Sequence, residues 1–381
     1  MTEACLIAAR RTAVAPRNGA FRAVEADELG AAVINALLAD CRIERDAIDE
    51  VIFGNALYGG GNPARMAALR AGLPDRVAAM TIDTQCCAGL DAVILAADRV
   101  RSGAADAVIA GGIESFSRAP LRARRPLHPT ETPQPYDRPP FAPWPERDPD
   151  MIAAAAALAQ ARDIPRKIQE QFAIASHGKA LQRPPGPREI AAVAGLSADA
   201  FARPLSAALC ARLAPLAGDA GFGVTPATVA VEADAAAALL VVSPAIVRRL
   251  NVARGLRIVA SARRGGDPAM PGLAPIAAAR EVLAASGTLS SAIAVAEIME
   301  AFAAQAIACA DGIGIPPAAF NRGGGALARG HPIGASGAIL MVRMWHELQS
   351  EDSGAIGLAA IAAAGGLGTA LLARIEREGE D

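Results

Sequence analysis

Along the first 118 residues, segments with the hydrophobic pattern of a strand alternate with segments that have the pattern of a helix. Short apolar runs predict strands at 5–14, 49–57 and 105–115, and apolar residues spaced three and four apart predict helices at 27–41 and 91–103. Strands that alternate with helices usually pair in parallel, with the helices covering the sheet. This part of the chain therefore predicts an α/β fold with a mostly parallel sheet.

The character of the chain changes after residue 118. The stretch 118–149 is too rich in proline to form long regular elements, helical patterns follow at 151–161 and 165–182, and prolines interrupt again from Arg183. A long connecting segment with few regular elements is usually functional or disordered. We predict an inserted loop domain at 119–231.

The α/β pattern resumes after Asp234. The segments with strand or helix patterns are 256–264, 275–287, 292–311, 334–350 and 354–376. Residues 1–118 with about 232–256 are predicted to form an N-terminal half, and 257–381 a C-terminal half. The uncharged stretch 353–373 is as long as a membrane span, but its glycines and alanines predict two buried strands joined by a tight turn.

The two halves show a weak internal repeat. Each has a reactive residue at a glycine-containing helix start, Cys86 in the first half and His331 in the second, followed by a helix and a strand with a Gly-Gly pair. If the two units pack with their helix N-termini converging, these residues meet. A thiol beside an imidazole at helix N-termini is suited to acyl transfer through a thioester, and both neighbours are expected to lower the thiol pKa.

Composition limits the classes of function. The net charge of −2 over 381 residues favours neither nucleic acid nor an anionic membrane as a partner. The six cysteines have no metal-ligand spacing and no secretory framework, and the first residues do not resemble a signal peptide. We expect a soluble cytoplasmic protein without a metal site.

Several strings in order along nearly the whole chain resemble the thiolase family of acetyl-CoA acetyltransferases and 3-oxoacyl-CoA thiolases. They are GNPARMAALRAGLP, TIDTQCCAGLDAV, AGGIESFSRAP, QEQFAIASHGKA, MEAFAAQ, GGGALARGHPIGASGA and AAAGGLGTA. The resemblance implies a five-layer αβαβα fold built from two similar half-units, assembled as a homodimer or homotetramer. It also implies an acyl-CoA or carrier thioester as the substrate and no tightly bound cofactor.

Within this resemblance Cys86 corresponds to the acyl-accepting nucleophile and His331 to the base that activates it. The backbone N–H groups of Cys86 and Ala364 correspond to oxyanion donors, while Cys87 lies where the family has a small packing residue. The apolar positions around the acyl group correspond to Met151, Met270 and Phe302.

Other positions depart from the family pattern. The second family cysteine, which moves the α-proton of the second substrate, corresponds to Ala362, and the family asparagine that positions a water corresponds to Met299. The segment that contacts the pantetheine arm of coenzyme A corresponds to 227–231, which has neither glycine nor serine. The residues that would load the acyl group onto the cysteine are thus present, whereas those for its transfer to the second substrate are replaced.

Three functions remain open. The first is an ordinary thiolase of reduced activity. The second is a biosynthetic acyltransferase that loads Cys86 and passes the acyl group to an acceptor needing no α-proton abstraction. The third is a non-catalytic partner of an active homologue.

Overall fold

The computed structural model describes residues 3–186 and 188–377. The strands are β1 Cys5–Thr12, β2 Ala15–Pro16, β3 Glu50–Gly54, β4 Ala78–Ile82, β5 Ala107–Glu114, β6 Ala123–Arg124, β7 Gln134–Pro135, β8 Ile190–Ala191, β9 Ala233–Val242, β10 Arg254–Gly265, β11 Ile293–Ile298, β12 Ile356–Ala363 and β13 Leu367–Arg377. The helices are α1 Ala26–Cys41, α2 Pro63–Arg70, α3 Ala88–Arg101, α4 Met151–Ala161, α5 Arg166–Gln182, α6 Ala207–Cys210, α7 Pro244–Leu250, α8 Ala274–Ser286, α9 Ala303–Ile313, α10 Ala326–Arg329 and α11 Ile333–Leu348.

The long strands form one sheet in the order β11-β12-β13-β10-β1-β9-β5-β3-β4. The two half-sheets meet where β1 pairs with β10 at Cys5 and Leu6. The expectation of a mostly parallel sheet was wrong, because β9 is antiparallel to both of its neighbours and so is β13. The physical reason is the connections: β9 returns after the long insert, and β12 and β13 are joined by a tight turn that only an antiparallel pair allows.

Helices cover the half-sheets in layers, which agrees with the α/β fold expected from the sequence. Helices α1 and α2 cover the outer face of the first half-sheet, and α8 covers that of the second. Between the half-sheets lie α3 and α11, packed against each other. Along β5 the side chains alternate, with Val108 toward the central helices and Ile109 toward α1.

Glycines let α3 and α11 approach closely. A Cβ on Gly89 would lie 2.7 Å from the backbone nitrogen of Ala338, and one on Gly337 would lie 2.4 Å from that of Leu90. Both distances are shorter than real Cβ contacts, so these positions exclude larger side chains. The close packing brings together the N-terminal ends of the two helices, where Cys86 and His331 lie.

The chain between β5 and β9 carries β6–β8 and α4–α6, and α4 and α5 pack on α9 of the second half. Buried ion pairs hold its later part: Arg11 of β1 binds Glu189 at 2.7 Å and Asp199 at 2.6 Å, and Arg343 of α11 binds Glu189 at 2.6 Å. The division of the chain into domains with boundaries at 118, 231 and 256 stays a prediction.

The uncharged stretch 353–373 forms most of the β12–β13 hairpin, as expected. Its turn contains Gly365 and Gly366 with φ of 78° and 80°, which only glycine adopts readily. Among residues 3–186 and 188–377, no helix has the length and apolar character needed to cross a membrane.

Candidate active site

Cys86 lies on a sharp turn between β4 and α3. Gln85, immediately before it, has a φ of 55°, which is unusual for a residue with a side chain. The turn is held by the Asp83 carboxylate, which accepts the Gln85 N–H at 2.8 Å. Such strained backbone often accompanies function. Here it presents the thiol at the start of α3, where Cys87 is the N-cap.

His331 lies on the second turn, between α10 and α11. Gly330, with a φ of 113°, precedes it, and the His331 N–H donates to the Val231 carbonyl at 2.7 Å. Pro332 follows as the N-cap of α11. The imidazole is therefore held at a helix start, as the sequence predicted.

The structure brings the two predicted residues together, with His331 Nε2 3.2 Å from Cys86 Sγ. The other ring nitrogen, Nδ1, is 2.7 Å from Ser336 Oγ. Ser336 Oγ donates its hydrogen to the Pro332 carbonyl at 3.0 Å, so it accepts from Nδ1–H. This arrangement fixes the proton on Nδ1 and leaves the Nε2 lone pair facing the thiol.

Ser336 was not among the sequence-predicted site residues. Its only signal was a hydroxyl five residues after the histidine, within the first turns of the helix that follows. That spacing places the hydroxyl beside the imidazole only when the loop geometry is known.

The expected low thiol pKa was wrong. Burial raises the pKa of Cys86 to about 12, although the backbone N–H groups of Ala364 and of Cys86 itself oppose the shift. Burial also lowers the pKa of His331 to about 4. The helix N-termini and the imidazole do not offset the loss of water around the sulfur, so the resting pair is a neutral thiol and a neutral imidazole.

The backbone groups predicted as oxyanion donors lie at the thiol. The backbone N–H groups of Ala364 and of Cys86 itself both lower the pKa of the thiol, and Ala364 lines the same cavity wall as Cys86. Ala364 belongs to the turn after β12, so the second half of the chain supplies this donor. Two N–H groups beside a nucleophile can stabilise the oxyanion of a tetrahedral intermediate.

An apolar cavity of about 180 Å³ opens onto this pair. Its walls are formed by Gln85, Cys86, Phe141, Met151, Ala154, Ala155, Leu158, Val229, Ala230, Pro271, Gly272, Ala301, Phe302, Gln305, His331, Ile333 and 362–364. Cys86 and His331 are the titratable side chains in this wall. Within the described residues, the cavity thus offers one thiol and one base.

The remaining sequence-predicted residues are distributed differently. Met151, Phe302 and Ala362 line the cavity, and so do Val229 and Ala230 of the segment 227–231. Met270 does not line it but packs beside Leu158, because the chain turns there and Pro271 and Gly272 form the wall. Met299 is buried against a separate void that Gly330 and Ser336 also line.

Cys87 differs from Cys86 in its surroundings. It is fully buried, and its Sγ donates to the Ile361 carbonyl at 3.5 Å. Burial, and then the Asp91 carboxylate, raise its pKa well above the usual range. Cys87 is thus a packing residue, as its position suggested, and the thiol at the cavity is that of Cys86.

The Ser336 contact makes a first prediction. Ser336→Ala removes the acceptor for Nδ1–H and frees the tautomer, which is worth roughly 1 kcal/mol, so the rate of Cys86 acylation should fall about 5- to 10-fold. Ser286→Ala is the matched control, because the Ser286 hydroxyl makes the same helical bond to Val282 at 2.8 Å far from the site. Equal acylation rates in both variants would show that Ser336 does not orient the imidazole.

No cluster of three or more His, Cys, Asp or Glu side chains with the geometry of a metal site occurs among the residues the structure describes.

Comparison with known proteins agrees with the fold. Residues 4–245 match the family model "Thiolase, N-terminal domain", and residues 253–375 match "Thiolase, C-terminal domain". A Bacillus subtilis (strain 168) protein named "Putative acetyl-CoA C-acetyltransferase YhfS" is 38% identical over 377 residues, covering 97% of this chain and 98% of the relative. "Putative acetyl-CoA C-acetyltransferase VraB" of Staphylococcus aureus (strain MSSA476) is 33% identical over 382 residues, covering 98% and 99%. The chain belongs to the thiolase family.

Proposed function

We propose that this protein is an acyltransferase that takes an acyl group from an acyl-CoA or a carrier thioester onto Cys86 and passes it to a second substrate. The observation that carries the proposal is the 3.2 Å contact between Cys86 Sγ and the free lone pair of His331 Nε2 at the wall of an apolar cavity. No tightly bound cofactor enters the proposal.

The first half-reaction follows from the protonation states. Cys86 is a neutral thiol, so its proton moves to His331 Nε2 as the sulfur attacks the thioester carbonyl. The oxygen that becomes negative receives hydrogen bonds from the N–H groups of Cys86 and Ala364. Collapse of the intermediate breaks the bond to the leaving thiolate, which takes the proton back from Nε2. The products are a free thiol and an acyl-Cys86 thioester, and the imidazole is again neutral.

Ala362 limits the second half-reaction. Its methyl group lies in the cavity wall where related enzymes are expected to hold a proton-transferring thiol, and a methyl group cannot accept a proton. The acceptor must then become nucleophilic without a second base. Acceptors of this kind are a malonyl thioester that loses CO₂, an activated aromatic carbon, an amine or a hydroxyl, which points to a biosynthetic role.

The test compares acceptors by product analysis. Acetyl-CoA alone should release coenzyme A up to one equivalent per site and then stop, whereas an added malonyl thioester should give continued release together with CO₂. Cleavage of acetoacetyl-CoA should be slow or absent. Release of no coenzyme A from any acyl-CoA would contradict the proposal and favour a non-catalytic partner of an active homologue.

A second candidate is an acetyl-CoA acetyltransferase or 3-oxoacyl-CoA thiolase of reduced activity. The names of the relatives favour it, since both describe an acetyl-CoA C-acetyltransferase over nearly the full chain. Efficient cleavage of acetoacetyl-CoA would select this candidate.

The cavity wall suggests how the missing step could be restored. Ala362→Cys places a thiol in the same cavity wall as Cys86, and we expect acetoacetyl-CoA cleavage to rise about 100-fold, the lower end of the range that general acid–base catalysis contributes. Ala362→Ser is the matched control, because it fills similar space without a group that ionises readily. A similar rise in the serine variant, or no rise with cysteine, would count against the role assigned to position 362.

We also propose that the protein forms a homodimer through the outer edge of the first half-sheet. Strand β4 ends the sheet order and is partly exposed, whereas β11 at the opposite end is mostly buried. Next to it are the exposed apolar side chains of Tyr58, Met66 and Met80. An open strand edge with apolar neighbours is a surface that natural proteins cover.

Met80→Lys should convert the dimer to a monomer, because it places an unpaired charge at the paired edge. Sedimentation velocity measures the change. Leu289→Lys is the control, since Leu289 is 72% exposed and lies outside β4 and its neighbours. A Met80→Lys protein that sediments like the wild type would rule out this edge as the interface. Wild-type protein that sediments as a tetramer would select the homotetramer instead.

A cytoplasmic location is part of the proposal. All six cysteines are described and none forms a disulfide, which suits a reducing compartment.

A further inference from the structure

A buried carboxylate lies directly behind the nucleophile turn and takes no part in the acyl transfer described above. Asp91, in the first turn of α3, is only 2% exposed. Its Oδ2 accepts the Thr84 hydroxyl at 2.6 Å, and its Oδ1 accepts the Thr369 hydroxyl at 2.9 Å. The Arg263 Nε is 3.9 Å from Oδ1, at the limit of an ion pair.

The two hydroxyls belong to two different parts of the site. Thr84 lies two residues before Cys86, on the turn that presents the thiol. Thr369 lies on β13, where it pairs with Ile361 of β12, one residue before Ala362. The hairpin formed by β12 and β13 carries Ala364, whose N–H acts on Cys86 Sγ.

One carboxylate therefore joins the turn that carries the sulfur to the hairpin that carries an oxyanion donor. One carboxylate oxygen binds the turn through Thr84, and the other binds the hairpin through Thr369. The sulfur and the Ala364 N–H come from opposite halves of the molecule, and Asp91 is a polar link between them beside apolar residues of the central helices.

A buried carboxylate is costly for stability, and an apolar residue of similar size would pack in this layer without that cost. Its hydrogen bonds are directional, however, and they fix the relative position of the two parts. Acyl transfer is sensitive to such placement, since a shift of about 1 Å can lower a rate roughly 100-fold.

We propose that Asp91 is a positioning residue that sets the placement of the Ala364 N–H relative to Cys86 Sγ through Thr369 and Thr84. This inference rests on the proposed acyl transfer to Cys86. It assigns the residue a role in transition-state geometry, beyond its contribution to packing.

The test separates two reactions of the same thiol. Acylation by acetyl-CoA needs the sulfur, the imidazole and the oxyanion donors, whereas alkylation by iodoacetamide needs the sulfur and the imidazole but forms no oxyanion. Thr369→Val removes the hairpin hydroxyl with little change in shape and leaves the Thr84 bond in place. Asp91→Leu removes both bonds, and Asp91→Asn retains the shape and part of the hydrogen bonding.

We expect the acylation rate at saturating acetyl-CoA to fall about 10- to 100-fold in Thr369→Val and Asp91→Leu, with Asp91→Asn between them and the wild type. In Thr369→Val the KM for acetyl-CoA and the alkylation rate should stay within about 3-fold, since this variant leaves the Thr84 bond and the thiol–imidazole pair in place. Thr288→Val is the matched control and should change neither reaction, because the Thr288 hydroxyl lies just after α8 and accepts a hydrogen bond from Ser286 at 2.9 Å.

Three results would overturn the inference. The first is a wild-type acylation rate in Thr369→Val and Asp91→Asn. The second is a parallel fall of the acylation and alkylation rates, which would indicate a structural role for the carboxylate. If wild-type protein forms no acyl adduct with any thioester, the proposed function itself fails and the positioning role fails with it. Should Asp91→Leu not fold, the valine and asparagine variants decide the question.

Discussion

Replacing Cys86 with alanine is expected to lower acyl transfer by roughly four orders of magnitude or more, because the variant has no atom to carry the acyl group. Release of coenzyme A from acetyl-CoA, followed with a thiol reagent, measures the loss. Binding of acetyl-CoA should be nearly unchanged, since the apolar walls of the cavity remain.

Cys87→Ala is the control for this variant. Cys87 is adjacent in sequence but fully buried, so its removal should leave coenzyme A release within a few fold of the wild-type rate. If Cys86→Ala retains most of the activity, or if Cys87→Ala loses it, the nucleophile has been assigned wrongly.

Replacing His331 with alanine is expected to lower the acylation rate 10²- to 10⁴-fold, the usual contribution of a general base. The reason is the raised pKa of the thiol: with a pKa of about 12, Cys86 holds its proton at neutral pH and needs an acceptor at Nε2. His346→Ala is a control, because His346 lies on the same helix and is absent from the cavity wall.

The pH dependence of kcat/KM gives the second measurement on His331. Burial lowers the pKa of this imidazole to about 4, so the base stays neutral, and active, until the pH falls toward 4. Burial raises the pKa of the Cys86 thiol to about 12, so thiolate formation adds nothing below pH 10. The profile should be flat from about pH 5 to 9. A bell-shaped profile with limbs near 6.5 and 8.5 would show an ordinary imidazole and thiol instead.

Much of the fold could be predicted from the sequence because it depends on local periods. The apolar run of β5 and the glycine-rich turn at 365–366 both specify their elements within a few residues. The direction of β9 could not be predicted in this way, since it depends on where the chain returns after more than 100 residues of insert. Periodicity in one strand carries no information about the direction of its neighbour.

Some features of the candidate site could also be predicted from the sequence, whereas others could not. The meeting of Cys86 and His331 followed from an internal repeat, because two similar units place equivalent helix starts together. The pKa of the thiol did not follow, since it is set by burial from both halves. Ser336 and Asp91 were missed for a related reason: each acts through a side chain that is distant in sequence or on a turn whose geometry the sequence does not specify.

The central claim is that the Cys86 sulfur accepts the acyl group, and peptide mapping by mass spectrometry tests it most directly. Protein is incubated with acetyl-CoA, quenched in acid and digested, and the peptide that carries Cys86 and Cys87 is fragmented. We predict one acetyl group, located on Cys86 and absent in both Cys86→Ala and His331→Ala at short times. An acetyl group on Cys87, or no acetylated peptide at all, would contradict the account.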